Sequence, residues 1–490
     1  MTIDQDFARR VRSIDPHGLG LSVDLYSPDL FELTSALHAE GLVPGYLEIF
    51  KGSTSAVTEA GRRLRPLSLE YHAEGLWLPQ PDMADHDAFD IEMETAAQQV
   101  RTLGSRWLNH ECASKHMAGY SFGTYLPPLF TKASADVTAD NVALVQARLD
   151  RACTEAGSNG VLVLVEVPPL TYFGFGDLDV ATYFRRLTAR AACGLVLDIG
   201  HLWTVYRYGG AWRRTSLLGF VQEFLEVFPL ERVVQIHVAG LAPHELSSAQ
   251  AEMPLWIDAH GARIPDVLFE MLAALLRAPG LVNLKGMALE VDQKAIPDIV
   301  EEFRRFQQRF GWWAGRTSTA LPPDSSLDER LDVVAGSVAE LTAEREILQI
   351  AYRDYARAAT TGRPLAAEEF SGAEFCDQAM LDLYASRYLP HEILRWGGDL
   401  RQMFPMACGL LEEAGLALDA FLHFWFREPR PTREPYDFFL LKIDRFVAFV
   451  DEVLPTASDL VNQEAADLRV GYQVACDGWG PSSTVGQPSP

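Results

Sequence analysis

The chain has 490 residues, about half of them apolar, which is too long for one ordinary core, so we expect two folded units, one of barrel size. Its formal charge of −25 opposes nucleic acid and anionic lipid as partners, because both would be repelled at long range. The amino terminus lacks a signal pattern, no run approaches the ~18 apolar residues of a membrane span, and the six cysteines form no CxxC pair. We therefore expect a cytoplasmic protein with no membrane partner.

Extended apolar segments alternate with amphipathic segments through the first 310 residues, and this alternation predicts repeated βα units. Eight such units predict an α/β fold, a TIM (β/α)8 barrel whose function lies in the loops after the strand carboxyl ends. The predicted strands are 19–25, 46–50, 67–72, 106–111, 161–167, 194–199, 233–239 and 286–291. The predicted helices are 28–41, 54–63, 87–104, 138–157 (capped by Thr138), 178–190, 214–228, 265–278 and 295–311.

The second half of the chain has a different pattern. Residues 314–326 break all periodicity and predict a linker after a barrel domain spanning residues 1–313. From 327 to 476 only helical periodicity is present, which predicts an all-α domain, and 477–490 is predicted to be a flexible tail. Two long barrel loops, 112–137 and 240–264, are candidate lids over a site.

Histidines and carboxylates recur where the predicted barrel strands end. Because a barrel brings its strand ends to one axis, residues far apart in sequence can share one metal site. A lone histidine at a strand end is more often a hydrogen-bonded core residue than a ligand, but independent core roles do not explain so many strand ends together. The candidate ligands are His72, His110, Glu166, Asp198, His201, His237, Asp258, His260 and Glu290.

This set is too large for one ion, and mixed nitrogen and oxygen donors suit iron, zinc or manganese. Asp198-Ile-Gly-His201 is the sharpest local signal, because both side chains can reach one ion as the chain leaves a strand. His116 and His244 lie in the two candidate lids, where a substrate contact or a proton shuttle is the functional alternative to plain packing. Three classes stay open: an oxidase, a zinc or manganese hydrolase or isomerase of the xylose-isomerase-like type, and a metal-free peptide-binding scaffold.

Several segments, in order from about residue 18 to 310, resemble the multinuclear non-heme iron-dependent oxidative enzymes (MNIO), a family that includes methanobactin-maturation enzymes. The segments that carry the resemblance are Tyr71-His72-Ala-Glu-Gly75-Leu76, Leu108-Asn-His110-Glu, Tyr125-Leu-Pro-Pro-Leu-Phe-Thr131, Val165-Glu166-Val-Pro168, Val196-Leu-Asp198-Ile-Gly-His201, Ile236-His237-Val-Ala-Gly240-Leu, Ile257-Asp258-Ala-His260-Gly261 and Glu290-Val-Asp292.

The resemblance implies two or three iron ions, mixed-valent Fe(II)/Fe(III), that use dioxygen to oxidise a residue, preferentially cysteine, of a ribosomally made precursor peptide. Asp292 would be an auxiliary group beside the ligands. The sequence departs from the family pattern at three places: Val167 replaces an asparagine, His201 replaces an asparagine, and Leu241 replaces a histidine. These departures affect the third iron first.

Residues 380–470 faintly resemble the separate helical partners that help this family to recruit its peptide, so the partner function would here be fused in cis. The segments concerned are Tyr388, Phe404-Pro405, Phe421, Phe446-Val-Ala-Phe449 and Leu460-Val-Asn-Gln-Glu-Ala-Ala-Asp467. The plainer interpretation is that these aromatic residues form the core of a helical bundle, and both interpretations are compatible.

Overall fold

A computed structural model describes residues 1–155, 160–243, 253–313, 338–363 and 377–477. Eight parallel strands form a closed barrel in which each strand pairs with its neighbours in sequence and the last pairs with the first. The strands are β1 Gly18–Val23, β2 Tyr46–Phe50, β3 Ser68–His72, β4 Trp107–Glu111, β5 Leu162–Glu166, β6 Gly194–Asp198, β7 Val233–Val238 and β8 Gly286–Glu290. The predicted TIM-type barrel is confirmed.

Helices follow the strands on the outside of the barrel. They are Leu30–Ala39, Thr54–Arg63, Ala88–Leu103, Lys132–Glu155, Val180–Arg190, Ile199–Tyr208, Leu217–Val227, Asp266–Leu275 and Ile296–Phe310. Two predictions were wrong in detail. The fourth helix begins at Lys132, so Thr138 is not its cap and its hydroxyl instead donates to the Ser134 carbonyl. After β6 there are two helices rather than one, because Asp198 caps a helix that starts directly at the strand end.

The lower half of the barrel interior, toward the strand amino ends, is filled with apolar side chains. A further helix, Ile3–Arg12, closes this end and contributes Phe7 and Val11 to the interior. The strand residues in the same cluster are Tyr46, Trp107, Leu162, Leu164, Val196, Val234 and Ala288. This end is therefore a packed core, which leaves the carboxyl ends of the strands as the place for chemistry.

The two segments predicted as long loops carry short strand pairs. In the first, Ser114–Met117 pairs antiparallel with Tyr120–Leu126, and Leu129–Phe130 pairs with Phe175–Gly176. In the second, Leu241–Pro243 pairs antiparallel with Trp256–Asp258. Both segments lie above the carboxyl ends of the barrel strands, and the second places Asp258 by sheet register rather than by a free loop.

The carboxyl-terminal region is helical, as predicted. Its helices are Val338–Thr361, Gln378–Leu383, a π-helical turn Tyr384–Tyr388, Leu389–Arg395, Leu400–Met403, Pro405–Glu413, Ala420–Trp425, Phe438–Val453 and Ser458–Asp477. The predicted linker at 314–326 and the tail beyond Asp477 lie outside the described residues. Among the helices described, none is both long enough and apolar enough to cross a bilayer.

The helical region packs directly on the barrel. Tyr352 and Tyr355 pack inside one hydrophobic cluster with barrel residues, and the Tyr355 hydroxyl donates to the Pro127 carbonyl at 3.0 Å. Trp425 donates from its indole Nε1 to the Ser121 carbonyl at 2.7 Å, and the Tyr436 hydroxyl donates to the Phe122 carbonyl at 2.6 Å. These contacts seat the helical region on the first strand pair, above the carboxyl ends of the strands.

Candidate metal centre

Alternation along the strands explains how the upper half of the interior becomes polar. Side chains of a strand face one side at every second position, so a polar residue two positions after an inward apolar residue also points into the barrel. Leu164 is followed in this way by Glu166, and Val196 by Asp198. The same step leads from Tyr46 to Glu48 and from Ala288 to Glu290. One layer of apolar side chains thus supports a layer of ligand-type side chains.

Four buried residues form the centre of the site. One ligand-type atom from each of Glu166, Asp198, His237 and Glu290 lies within 4.8 Å of those from the other three. His237 Nδ1 is 3.2 Å from Glu166 Oε1 and 3.1 Å from Glu290 Oε1. These four were all predicted as ligands, and they come from strands β5, β6, β7 and β8.

The group extends on both sides of this centre. On one side, His72 Nε2 lies 3.3 Å from Glu166 Oε2. On the other side, His260 Nε2 lies 3.2 Å from Glu290 Oε2 and 3.0 Å from Asp258 Oδ2. His201 Nε2 completes the series, 3.6 Å from Asp258 Oδ2. The structure therefore brings eight of the nine predicted ligands into one continuous series of contacts.

In each of the four histidines of this series, one ring nitrogen lies against a fixed group while the other faces the carboxylates. His72 Nδ1 donates to the Ala73 carbonyl at 3.0 Å, and His201 Nδ1 donates to the Val167 carbonyl at 2.7 Å. His237 Nε2 lies 3.0 Å from Glu48 Oε1, and His260 Nδ1 lies 3.0 Å from Asp292 Oδ2. This arrangement fixes each ring and is the one that metal-binding histidines use.

The electrostatics of the site depend on its burial. Burial disfavours the charged form of His237, but Glu166, Glu290 and Glu48 outweigh it and raise its pKa well above the usual value. Burial raises the pKa of Asp198 to about 6, and burial with the carboxylates around it raises the pKa of Glu111 to about 8. Carboxylates packed this closely repel one another, so a cation bound among them would stabilise the site.

Unsatisfied polar atoms show that the donor set fits a metal. Asp198 Oδ2, Asp258 Oδ1 and His201 Nε2 are buried and have no hydrogen-bond partner among the described residues. A buried polar atom without a partner is costly, and metal coordination would satisfy all three. Two carboxylate oxygens and an imidazole nitrogen are donors that suit iron, manganese or zinc. The residues present therefore fit a metal centre of this class.

The three departures from the family pattern are linked in the structure. Val167 supplies, through its carbonyl, the acceptor that orients His201, which replaces an asparagine. Leu241 is buried and pairs with Asp258 in the upper strand pair. The preceding Gly240 makes this approach possible, because a Cβ there would come within 2.2 Å of the Ala262 carbonyl oxygen. His201 thus faces Asp258, while the position of Leu241 is apolar.

His110 is the predicted ligand outside this series. Its Nδ1 donates to the Glu111 carbonyl at 2.7 Å, and its Nε2 accepts from the Leu76 N–H at 3.1 Å. Alternation along β4 explains the difference, because Asn109 and Glu111 take the inward positions that follow Trp107. Burial lowers the pKa of His110 to about 4, so the ring is neutral. A ligand role for His110 would require its Nε2 to leave the Leu76 N–H.

The two lid histidines have different outcomes. His116 is fully buried, and its Nδ1 contacts the hydroxyls of Ser121 at 3.0 Å and Thr432 at 2.9 Å. Burial lowers its pKa to about 3, so the neutral ring joins the first strand pair to the helical region. His244 lies outside the described residues. Asp292, the third residue predicted beside the ligands, holds His260 and also accepts from the Asp24 N–H at 2.7 Å.

Sequence reasoning missed three inward residues. Glu48 lies against His237, Asn109 donates from Nδ2 to Glu166 Oε2 at 2.8 Å, and Glu111 is buried beside the centre. Glu48 and Asn109 lie inside their strands, where the pattern of ligand types at strand ends gives no signal. A carboxylate within an apolar strand, as in Tyr46-Leu-Glu48-Ile-Phe50, is the signal that would have identified Glu48.

Known proteins resemble this chain over the barrel. A UPF0276 protein of Caulobacter sp. strain K31 is 30% identical over 277 residues, which is 54% of this chain and 85% of that protein. A UPF0276 protein of Paraburkholderia phytofirmans is 26% identical over 264 residues, 51% of this chain and 75% of that protein.

Solved structures with a similar barrel are more distant. Endonuclease IV from Thermus thermophilus is 18% identical, covers 60% of this chain and 99% of its own, and has a TM-score of 0.38. At this level of similarity the comparison carries no functional argument.

The model of the family described as RiPP precursor modification enzyme MbnB/TglH/ChrH matches residues 17–309, the span that contains all eight barrel strands and all eight residues of the series of contacts from His72 to His201. The chain belongs to this family, whose members modify ribosomally made precursor peptides.

Proposed function

We propose that this protein is a multinuclear non-heme iron enzyme that uses dioxygen to oxidise a residue, preferentially cysteine, of a ribosomally made peptide. The observation that carries the proposal is the series of four oriented histidines and four carboxylates at the carboxyl end of a barrel. Family membership supplies the peptide substrate as a class, and the donor chemistry supports iron.

The ligands fall into three groups along the series. At the centre, Glu166 lies between His72 and His237, and these three residues would hold iron together. Glu290 lies between His237 and His260 in the same way. Asp198, His201 and Asp258 form the third group, in which two carboxylate oxygens and one imidazole nitrogen still lack partners among the described residues. This grouping supports more than one ion, and the third group is where His201 adds a donor.

Iron held by these residues would supply dioxygen binding and one-electron chemistry. The protein's own part is to position the ligand side chains and to exclude water from the site. Glu48 and Asp292 fix the rings of His237 and His260, so these donors do not need to reorganise. The site would exclude bulk water, because its side chains are buried: His72, Glu166, Asp198, His201, His237 and Glu290.

The helical region would take the role of a peptide-recruiting partner fused to its enzyme. Its contacts support this role, because Trp425 and Tyr436 seat it on the first strand pair beside the barrel mouth. Tyr436 also packs edge-on against Trp77 with ring centroids 5.0 Å apart, and Trp77 packs edge-on against His110 at 6.3 Å. A peptide held by this region would be delivered at the site.

The test is to load the purified protein with ferrous iron without oxygen, then to measure bound metal and oxygen uptake. We expect more than one iron per chain and oxygen consumption that requires it. His72→Ala should remove iron and oxygen uptake. His38→Ala, a matched control on the exposed face of the helix Leu30–Ala39, should leave both unchanged.

Two results would overturn the proposal. One is less than one iron per chain with tight zinc binding and no oxygen uptake, which would favour the divalent-metal hydrolase or isomerase. The other is an active iron centre that leaves a co-expressed cysteine-containing precursor peptide unchanged in mass.

A further inference from the structure

A small cavity lies where the barrel and the helical region meet, outside the metal centre. It has a volume of about 270 Å³. Its walls come from four parts of the chain: the 80–86 loop after β3, the turn at 118–119 of the first strand pair, the helix Val338–Thr361, and residues 429–431. The cavity therefore exists only where the helical region is seated on the barrel. At about 30 Å³ per water it holds roughly nine waters, the space of one or two residues of an extended peptide.

One wall of the cavity contains a buried donor without a partner. Gln80 lines the cavity and is only 1% exposed, and its Nε2 has no hydrogen-bond partner within the described part of the chain. The Nε2 atom is itself covered, so the Gln80 side chain would turn toward the cavity to donate to an acceptor oxygen there, and that hydrogen bond would satisfy a buried amide. The backbone at Gln80 is fixed, because its N–H donates to the Trp77 carbonyl at 2.9 Å.

The ionisable residues of the cavity wall leave one cation, Arg353, without an ion-pair partner among the described residues. Asp82 and His86 lie against each other, with His86 Nε2 3.5 Å from Asp82 Oδ1. Arg353 lines the same cavity and makes no ion pair with any residue that the structure describes. An open guanidinium is notable in a chain of formal charge −25, where carboxylates greatly outnumber cations. A carboxylate is the anion that a guanidinium and an amide N–H bind together.

Most of the remaining wall is rigid and apolar, and Gln349 is its polar member. Pro81, Pro429 and Pro431 line the cavity together with Tyr352, whose hydroxyl is held by Ser134 at 2.9 Å. Proline rings and a fixed aromatic ring lose little entropy when they are covered, so they suit the aliphatic stem of an amino-acid side chain. The cavity thus combines an apolar wall, a buried donor and one open cation.

The cavity is connected to the barrel mouth by the segment that forms its own wall. After Pro431, Thr432 contacts His116, and Tyr436 follows with its ring against Trp77. The Trp77 ring contacts His110, and the Trp77 carbonyl accepts from the Gln80 N–H. A chain held in the cavity is therefore linked, through Trp77, to His110 on the outward side of β4.

We infer that this cavity anchors an acidic residue of the substrate peptide, with its carboxylate on Arg353 and Gln80 and its stem against the proline and tyrosine wall. The inference rests on the proposed function only in taking a peptide as the ligand. It needs neither iron nor oxidation, so it can be tested on the metal-free protein.

The experiment is a selection of binders from a displayed library of random short peptides, using the immobilised, full-length, metal-free chain. We expect the selected peptides to share an aspartate or glutamate. In solution, changing that glutamate to glutamine in a fluorescent copy should weaken binding about fivefold, the effect of roughly 1 kcal/mol. Arg353→Glu should abolish the preference for the acidic peptide, and Gln80→Met should reduce it.

Arg357→Glu is the matched control, because Arg357 lies one turn further along the same helix, is 69% exposed, pairs with Asp354 and does not line the cavity. It should bind the acidic peptide as the unmodified protein does. Equal loss in both arginine variants, or selected peptides without an acidic residue, would overturn the anchor. If peptide binding depends on Arg353 but the protein takes up no iron, the anchor stands and the proposed oxidase function is wrong. If the protein takes up iron but peptide binding does not depend on Arg353, only the anchor is wrong.

Discussion

The lower and upper halves of the barrel interior are built from the same strands with opposite chemistry. Below, Leu164 and Val196 pack with Phe7 in a closed apolar cluster. Two residues further along, Glu166 and Asp198 are equally buried but polar: Glu166 is bonded by His72, His237 and Asn109, and Asp198 Oδ2 has no partner in the described chain. The lower half stabilises the fold, while the upper half gives up stability to hold ligands in place. Paired substitutions in the two halves can separate these roles.

The largest contrast is expected between Leu164→Ala and Glu166→Ala, which lie on the same face of β5. Leu164→Ala leaves a cavity in a fully buried cluster and should lower the free energy of unfolding by about 2–5 kcal/mol. Metal bound per folded chain should not change. Glu166→Ala should reduce bound metal to background, because it removes the group shared by His72 and His237. Denaturant unfolding and metal analysis of both variants measure this, and equal metal loss in the two would contradict the division of roles.

Metal removal should act on the upper half alone. A chelator should lower the thermal midpoint of the loaded protein, since metal at about 100 times its Kd contributes roughly 2.7 kcal/mol to stability. The same treatment should leave Glu166→Ala unchanged. Thermal scans with and without chelator measure the effect, and an equal shift in the variant would place the metal elsewhere.

Two buried glutamates offer a smaller comparison. Glu48 lies against His237 in the upper half, whereas Glu70 accepts from the Arg106 and Trp107 N–H groups and the Ser105 hydroxyl near the lower end. Glu48→Gln should weaken metal binding about 10–100-fold with little loss of stability, as changes next to a ligand do. Glu70→Gln should cost about 1–3 kcal/mol of stability with metal affinity intact. Metal titration and denaturant unfolding of both variants measure the two effects. A loss of metal affinity in Glu70→Gln, or a loss of stability in Glu48→Gln, would contradict this comparison.

The smallest expected effect is that of Asn109→Ala. Asn109 Nδ2 donates to Glu166 Oε2 at 2.8 Å, and removing this donor should weaken metal binding about fivefold, the effect of roughly 1 kcal/mol. Competition with a metal indicator measures the change. An effect as large as that of Glu166→Ala would mean that Asn109 is itself a ligand.

The fold could be predicted because each strand is a short apolar run followed by a turn signal, a pattern that recurs along the whole barrel. The predicted barrel strands begin within one residue of the observed starts, as Tyr46–Phe50 shows. Helix starts were less certain, because a helix can begin before its first apolar residue, as the one at Lys132 does. The strand pairs in the two upper segments depend on contacts between strands, which local patterns do not show.

The site could be predicted where a ligand type ends a strand, as at Glu166 and Glu290. It could not be predicted where a role depends on the side of the strand that a residue faces, or where a ligand type lies in the middle of a strand. His110 differs from its neighbour Asn109 by one position, which reverses the side of the strand, and Glu48 is hidden in the middle of its strand. His116 was predicted to lie in a candidate lid, with a substrate contact or a proton shuttle as its possible role, but the helical region buries it through Thr432, a contact that spans 316 residues.

The pairing of Gly18 with Gly286 has a consequence for the order of events in folding. The ring of strands closes only when its last member has been made, and contacts of such large sequence separation form late. Because the proposed ligands run from His72 in β3 to Glu290 in β8, with His201, Asp258 and His260 between strands, no part of the chain that lacks the last strand can assemble the complete centre. Metal uptake should therefore follow closure, so bound metal reports chains that have finished folding.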